Sequence, residues 1–340
     1  MATLRSDIIV PEVFTPYVIE ESTRTDAFLA SGVVQPMAEL NATEGGDFIN
    51  IPHFKANLTG DFEVLSDSTS LTPGKITTDR QTGVILHRGR AFEARDLAAL
   101  AAGSDPMAAI GTKVASYVNH QRQKDLLSCL AGVFGSLGST SSSAAFFPLT
   151  IDGESGDTPT VLSPRHVAEA KSLLGDQGEK LTAMCVHSKV YYDLVERRAI
   201  DFIYDNTGAG DTAADSGSTA NAFGQVSVPT FMGLRVIVSD DVQTAGSGSS
   251  TEYATYFFTQ GAVASGEQLA LQTETDRDIL AKSDAMSIDL HYCYHPVGSR
   301  WTASDVNPSR STLETVGNWS KVYETKNLGI VRVTNTSNMD

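Results

Sequence analysis

The apolar residues between positions 105 and 134 recur at helical spacing. Asp105-Pro106 opens the segment, and no further proline occurs before its end. Apolar side chains occur at intervals of three, four or multiples of these, at Met107, Ile110, Val114, Val118, Leu127, Leu130 and Phe134. We predict one long helix here, the spine helix. About thirty residues at ~1.5 Å each would span on the order of 45 Å, enough to run across a domain and support other elements.

Residues 45–96 have a different pattern. Apolar residues lie on both sides of a polar centre at 57–75 that contains glycine and proline: Phe48, Ile49, Ile51 and Phe54 before it, and Val84, Ile85 and Leu86 after it. This pattern predicts a long β-hairpin with an exposed tip. Residues 1–40 instead have the spacing of one or two short helices, which form an arm without a core of its own.

The second half mixes helix and strand signals. Ser163-Pro164 and Gly175 mark the two ends of a helix, the strand 181–186 follows, and Ser188 is a candidate cap for the next helix. Further predicted elements are the strands 234–238, 253–259, 268–272, 285–295 and 328–333, and a short helix with a capping box at Ser311-x-x-Glu314. We therefore predict an α+β fold. Residues 205–228 are small and acidic and predict an exposed loop.

Composition narrows the class of protein. The 340 residues carry a net charge of −16, from 25 basic and 41 acidic side chains. Such a charge disfavours direct binding to nucleic acid or anionic membranes. The longest apolar run, 97–102, is too short for a membrane span, and no secretory signal opens the chain. We expect a protein that stays in the cytoplasm where it is made, with its three cysteines reduced.

One strand carries candidate metal ligands. Asp289, His291, Cys293 and His295 alternate along the predicted strand 285–295 and would share one face. Two histidines at this spacing can bind one zinc ion, so His291, Cys293 and His295 are weak metal candidates. The favoured interpretation is a half-buried strand whose polar residues point outward.

Two other patterns are weak evidence for an active site or a cofactor site. Cys185 and His187 share a strand face, which allows a thiol–imidazole pair, but the apolar neighbours of Cys185 favour a core residue. Residues 208–213 match G-x-G-x-x-A without the strand and helix that a dinucleotide site needs. The residues therefore assign no catalytic group, cofactor or metal, and an enzyme is not expected.

Three stretches of the chain resemble major capsid proteins of tailed bacteriophages. They are residues 8–34 (IIVPEVFTPYVIEESTRTDAFLASGVV), 163–198 (SPRHVAEAKSLLGDQGEKLTAMCVHSKVYYDLVERR) and 311–333 (STLETVGNWSKVYETKNLGIVRV). The resemblance implies the Hong Kong 97 type fold. Its parts would be an N-terminal arm at 1–44, an extended hairpin loop at 45–96, a peripheral domain at 97–159 with the spine helix, an axial domain at 160–284 with the loop 205–228, and a return to the peripheral domain at 285–340.

The resemblance also implies a function. The chain would self-assemble through pentamers and hexamers into an icosahedral head that encloses double-stranded DNA, as a virion protein assembled in the host cytoplasm. Because the sequence begins at the arm, we expect a separate scaffolding protein; a portal is a further partner, and a cement protein is left open. Contacts between subunits are expected at Phe14, Tyr17, Phe54, Lys55, Phe62, Lys75, Asp205, Asp211 and Asp215.

Two alternatives stay open from the sequence. A nanocompartment shell protein would have the same fold and would load a cargo enzyme instead of DNA. A cytoplasmic enzyme would use the α/β block at 160–260, with Cys185 and His187 as one candidate site and His291, Cys293 and His295 as another. Some relatives form lysine–asparagine crosslinks, but no partner for Lys55 or Lys75 can be identified, so none is predicted.

Overall fold

The structure is a computed structural model. It describes residues 28, 31–41, 45–55, 62–64, 71, 73–96, 106–135, 137, 150–151, 160–204, 227–248 and 251–339. Most of the predicted arm, including Phe14 and Tyr17, lies outside these residues, as do Asp205, Asp211 and Asp215. The chain divides into two compact units, each made of segments distant in sequence.

Unit 1 contains residues 1–136, 141–148 and 261–328. Its described elements are the strands β1 (Val34–Pro36), β2 (Phe48–Phe54), β3 (Thr78–Val84) and β4 (Leu86–Arg95), the helix α1 (Pro106–Phe134), and, after unit 2, the strands and helix that return to it.

Unit 2 contains residues 137–140, 149–260 and 329–340. Its described elements, in chain order, are β5 (Thr150–Ile151), α2 (Pro164–Leu173), β6 (Leu181–Val186), α3 (Ser188–Glu196), β7 (Asp201–Tyr204), β8 (Ser227–Phe231), β9 (Leu234–Val238), β10 (Thr244–Ala245) and β11 (Glu252–Thr259).

The return to unit 1 begins with two long strands. In chain order the remaining elements are β12 (Val263–Asp278), β13 (Ser283–Pro296), β14 (Ser299–Trp301), α4 (Arg310–Leu313), β15 (Trp319–Lys321) and finally β16 (Ile330–Asn335), which belongs to unit 2. Short 3-10 helices lie at Ala38–Leu40, Gly175–Lys180, Val316–Asn318 and Thr325–Asn327.

The sheet of unit 1 has the strand order β1-β12-β13-β4. Strands β12 and β13 form an antiparallel ribbon from Val263↔Pro296 to Asp278↔Ser283, and β4 pairs along β13. A separate hairpin pairs β2 with β3, from Phe48↔Val84 to Phe54↔Thr78. The predicted hairpin is thus confirmed, although its register covers only the inner part of 45–96 and β4 leaves it to join the larger sheet.

The spine helix is confirmed as α1, one unbroken helix of 29 residues. Its middle and C-terminal turns are buried, with Val114, Val118, Leu127, Leu130 and Phe134 each less than 5% exposed. Those turns also bury Asp125, a residue that the apolar pattern did not mark.

The Asp125 carboxylate lies at the centre of unit 1. Its side chain is fully buried and accepts hydrogen bonds from Arg88 Nε of β4 at 3.1 Å, from the hydroxyl of Tyr292 of β13 and from Arg310 Nε of α4. Arg88 also donates to Asn307 Oδ1 and to Pro308 O, both at 2.8 Å. Burial and the neighbouring carboxylate raise the pKa of Tyr292 well above its ordinary value. One buried anion thus joins α1, the strands β4 and β13, and α4.

The sheet of unit 2 has the order β5-β16-β11-β6-β9-β8-β7, with β10 beside β11. β6 and β9 are parallel, whereas β11 is antiparallel to both β6 and β16. Its core includes Met184, Cys185, Tyr256, Phe257 and Val333, each essentially inaccessible to solvent.

Several local predictions for unit 2 are confirmed. Ser163 and Pro164 begin α2, and Gly175 has the positive φ of 59° expected just past a helix end. The next helix is capped one residue earlier than predicted. His187, not Ser188, is the cap, because its backbone is still extended and its Nδ1 accepts a hydrogen bond from the backbone N–H of Lys189.

Other predicted boundaries are wrong. The strand predicted at 268–272 is the middle of β12, which is longer because it pairs with β13 along its whole length. The capping box at Ser311 is displaced as well. α4 begins at Arg310, with Ser309 as the cap, because the Ser309 hydroxyl accepts from the Thr312 N–H.

The contacts divide the chain differently from the predicted domains. Residues 261–284 pack with unit 1, not with an axial domain ending at 284, because β12 pairs with β1 and β13. Residues 329–340 belong to unit 2, because β16 pairs with β11 and β5. Residues 227–228, predicted as the end of a loop, begin β8.

We expect Asp125→Asn to lower the free energy of unfolding of unit 1 by about 3–5 kcal/mol, because two arginines would lose their buried anionic partner. Urea denaturation of the full-length chain measures this effect. Asp305→Asn, a change on an exposed loop, serves as the control and should stay within about 0.5 kcal/mol of the parent. A similar small effect for Asp125→Asn would contradict the central role of this carboxylate.

Gly132 provides a second test. A Cβ at this position would collide with Leu313 O and approach Trp319 Nε1 at 2.5 Å. The Gly132→Ala substitution should therefore destabilise the chain by about 1–3 kcal/mol, although alanine favours helices over glycine by about 1 kcal/mol. Thermal unfolding compared with Gly317→Ala, where a Cβ meets no atom within 4 Å, separates the two effects. A rise in Tm for Gly132→Ala would show that the helix propensity of alanine outweighs the steric clash.

Candidate assembly surface

The outer half of the β2–β3 hairpin exposes apolar side chains. Phe54, at the end of β2, is 67% exposed, and Phe62 and Val64 in the tip are almost completely exposed. Leu71 and Ile76 are more than half exposed. We call these five residues the hairpin patch. Of the residues predicted to make contacts between subunits, Phe54 and Phe62 belong to it.

Two lysines predicted as contact residues lie beside this patch. Lys55 Nζ is 3.6 Å from Asp79 Oδ2, and Lys75 is exposed. Arg300 Nη1 also lies 3.6 Å from the other oxygen of Asp79. The pKa of Asp79 is lowered, mainly by the backbone N–H of Arg80 and less by the charges of Lys55 and Arg300. Asp79 thus forms ion pairs with Lys55 of the hairpin and with Arg300 of β14.

A buried glutamine holds the base of the hairpin in place. Gln81 of β3 is 5% exposed; its Nε2 donates to the hydroxyl of Tyr323, and its Oε1 accepts from the N–H of Gly298 at 2.8 Å and from Nε2 of His295 at 3.1 Å. Gly83 allows close packing, since a Cβ there would lie 3.1 Å from Cys293 Sγ. The base of the hairpin is therefore rigid, while its outer half presents the apolar patch.

The three metal candidates do not form a metal centre. Cys293 and His295 are buried, so the prediction that this face of β13 points outward is wrong for both. The reason is that Leu40 and the hairpin cover it: Cys293 packs in a cluster with Leu40 and Ala264. Burial raises the pKa of Cys293 to about 12.

His291 is not part of the cluster of Leu40, Ala264 and Cys293, and it contacts a different side chain. Its ring stacks on His87 at a centroid distance of 4.2 Å. Burial and the His87 ring lower its pKa. Within the described part of the chain, no group of three or more histidine, cysteine or acidic side chains could hold a metal ion.

The two residues of the thiol–imidazole candidate lie in different environments: Cys185 in the core and His187 at a helix cap. Cys185 is fully buried in β6, and burial raises its pKa, so the thiolate needed for nucleophilic attack is disfavoured. His187 caps α3, packs against the ring of Tyr253 at 4.7 Å and lies 3.9 Å from Asp240 Oδ1. Both residues have structural roles.

Comparisons with known proteins show which family the chain belongs to. The family described as Gp13-like, major capsid protein 13-like, matches residues 37–329. The major capsid protein of Bacillus phage SPP1 is 34% identical over 337 residues, which cover 96% of each chain. The chain belongs to the Gp13-like family of major capsid proteins.

Solved structures support the fold of this capsid protein. The capsid of Ralstonia phage GP4 is similar with a TM-score of 0.55 and 10% identity, and covers 91% of this chain and 88% of that chain. The Cyanophage Pam1 capsid asymmetric unit gives a TM-score of 0.53 at 14% identity, over 91% and 89% of the two chains. The mixed helix and sheet fold is thus similar to phage capsid structures.

Family membership makes this chain a structural major capsid protein of a tailed phage, and a component of the virion that assembles with other capsid subunits. A structural family implies a non-enzymatic role. Neither the family match nor the SPP1 relative supports the nanocompartment or enzyme alternatives. Among the described residues, no helix is both long and apolar enough to cross a membrane.

The stability of unit 1 should depend on pH through His295. This side chain is buried, and burial lowers its pKa from 6.5 to about 4. Between these two values the unfolded chain binds the proton and the folded chain does not. Stability should therefore be complete above about pH 6.5 and fall towards pH 4, by up to about 3 kcal/mol from this group.

Urea unfolding of the parent and of His295→Gln at several pH values between 4 and 7.5 tests this expectation. The glutamine amide can still donate to Gln81 Oε1 but takes up no proton in this range. The variant should lose less stability on acidification than the parent. Parallel pH curves for the two proteins would show that His295 contributes nothing to the acid sensitivity.

Proposed function

We propose that this capsid protein self-assembles through pentamers and hexamers into the icosahedral head that encloses the double-stranded DNA of the phage. The observation that carries the proposal is the hairpin patch. Burying one large apolar side chain stabilises a contact by about 1.5–3 kcal/mol, so five exposed ones on one projecting element favour docking onto a neighbouring copy.

The anchored base of the hairpin supports this role. A contact between subunits gains affinity when the docking element is already ordered before it binds. Gln81 and Gly83 fix the base of the hairpin through Tyr323, Gly298 and Cys293. The anchored base therefore adds little to the conformational entropy that is lost when the hairpin meets a neighbour.

We assign the parts of the chain by the Hong Kong 97 type fold. Residues 1–44 would be the N-terminal arm and 45–96 the extended loop. The remainder of unit 1, with α1 as the spine helix, would be the peripheral domain, and unit 2 the axial domain with its loop at 205–226. Phe14, Tyr17, Asp205, Asp211 and Asp215 remain proposed contact residues in the arm and the axial loop, together with Phe54, Lys55, Phe62 and Lys75 of the hairpin.

The proposed partners follow from the same assignment. Assembly would take place in the host cytoplasm with a separate scaffolding protein and a portal, and the assembled shell could be decorated by a cement protein. The net charge of −16 favours a wall that encloses DNA without adhering to it, because like charges repel.

Removing the hairpin tip tests the proposal. Replacing residues 57–75 by Asn-Gly retains the paired base and closes it with a two-residue turn. We expect a soluble, folded chain that no longer forms shells, because Phe62, Val64 and Leu71, three of the five residues of the hairpin patch, are gone. Light scattering and electron microscopy of the full-length and shortened chains, each expressed with its phage assembly partners, give the answer.

A milder variant separates the patch from the length of the loop. Phe62→Ser combined with Val64→Ser should reduce shell yield at least tenfold and leave the unfolding midpoint unchanged. Val306→Ser, which alters another exposed apolar residue of unit 1, should assemble normally. Intact shells from the shortened chain would overturn the proposed role of the hairpin.

A further inference from the structure

The tip of the β12–β13 ribbon carries a second exposed apolar pair. Ile279 and Leu280 are 79% and 96% exposed. They lie in the turn between Asp278 and Ser283, the last pair of the ribbon. Turns usually contain glycine, proline, asparagine, aspartate or serine, so two large aliphatic residues at this position are not explained by turn formation.

The turn is held in one conformation. The Asp278 carboxylate accepts hydrogen bonds from the N–H groups of Leu280 at 2.8 Å and Ala281 at 3.0 Å. Arg277 binds Asp284 across the ribbon and Asp96 at the end of β4. These bonds hold Ile279 and Leu280 as a preformed projection, which we call the ribbon knob.

Unit 1 also has an apolar pocket at the start of the spine helix. Phe92 of β4 and Ile110, Lys113, Val114 and Tyr117 of α1 line an open pocket of about 260 Å³. The rings of Phe92 and Tyr117 pack edge to face with centroids 5.7 Å apart. Lys113 is exposed and has no ion pair within the described part of the chain.

The knob and the pocket are complementary in polarity and charge. Residues 273–284 hold four acidic and two basic side chains, and Arg277 is already paired with two of the chain's carboxylates. An apolar knob in an acidic surround matches an apolar pocket with one unpaired lysine. A chain that exposes its own knob cannot be filling its own pocket with it, so the matching knob must come from another copy.

We propose that the ribbon knob of one subunit inserts into the spine-helix pocket of a second copy, with Lys113 facing the acidic residues around the knob. This inference rests on the proposed function, because it supposes that copies assemble. It adds a contact that the hairpin patch does not supply.

The contact joins two different surfaces. Such a head-to-tail interface leaves one free knob and one free pocket at the two ends of any open row of copies, so it continues from copy to copy until it closes in a ring. Two side chains in one pocket form a small interface, well below about 1,200 Å² and weak on its own. In a shell the contact would gain strength because many copies engage together.

Crosslinking between two tagged chains tests the contact. One chain carries Leu280→Cys and the other, distinguished by a larger tag, carries Lys113→Cys. The three native cysteines are buried and should not react. A short bis-maleimide reagent added to particles assembled from both chains should give a covalent heterodimer on a denaturing gel.

The control pair combines Leu280→Cys with Asp305→Cys, which places the second thiol on an exposed loop of the same unit. At least a tenfold excess of heterodimer for the Lys113→Cys pair would support the proposal. Equal yields, no heterodimer, or a crosslink from position 113 to a segment other than residues 279–280 would overturn it. Parent chains that form no particles at all would overturn the proposed function, and this inference with it.

A charge exchange provides a second readout. Lys113→Glu should lower particle yield several-fold by placing two acidic surfaces opposite each other. Adding Asp276→Lys to the same chain should recover most of the loss, since the acidic and basic partners are then exchanged. If Asp276→Lys brings no recovery, Lys113 does not face the knob and the proposal fails.

Discussion

The fold of unit 1 depends on one buried negative charge. Asp125 is inaccessible to solvent in the middle of the spine helix, where an unpaired carboxylate would be very costly. Arg88, Tyr292 and Arg310 satisfy it, and each comes from a different element. The spine helix, β4, β13 and α4 therefore assume their mutual positions together. The hairpin patch and the ribbon knob project from a frame that this charge holds in place.

The longest elements could be predicted because local pattern and final structure agree. The spine helix buries the stripe that its sequence spacing marks, and Ser163, Pro164 and Gly175 act locally at the ends of α2. The hairpin was predictable for the same reason, since Phe48 and Val84 are directly paired. In the two helices, neighbouring residues in the sequence carry the signal, whereas in the hairpin the two apolar segments on either side of the polar centre carry it.

The failures come from contacts between distant residues. The strand with His291, Cys293 and His295 alternates as a half-exposed strand should, but the hairpin and Leu40 cover its second face. The residues next to this strand in the sequence do not indicate that Leu40 and the hairpin bury it. Asp125 lacked a signal too, because its partners lie 37, 167 and 185 residues away. The ribbon knob is visible in the sequence, since Ile279 and Leu280 are an aliphatic pair among charged residues.

The position of β16 in the sheet affects when unit 2 can fold during translation. This strand is formed by residues 330–335, yet it lies inside the sheet of unit 2, between β5 and β11. Unit 1 is likewise closed by residues 261–328. A ribosome must release residues 283–296 before unit 1 can complete its sheet, and residues 330–335 before unit 2 can complete its own. Nascent chains that have not yet released β16 therefore lack a finished unit 2, which delays association between neighbours on one polysome until this strand has left the ribosome.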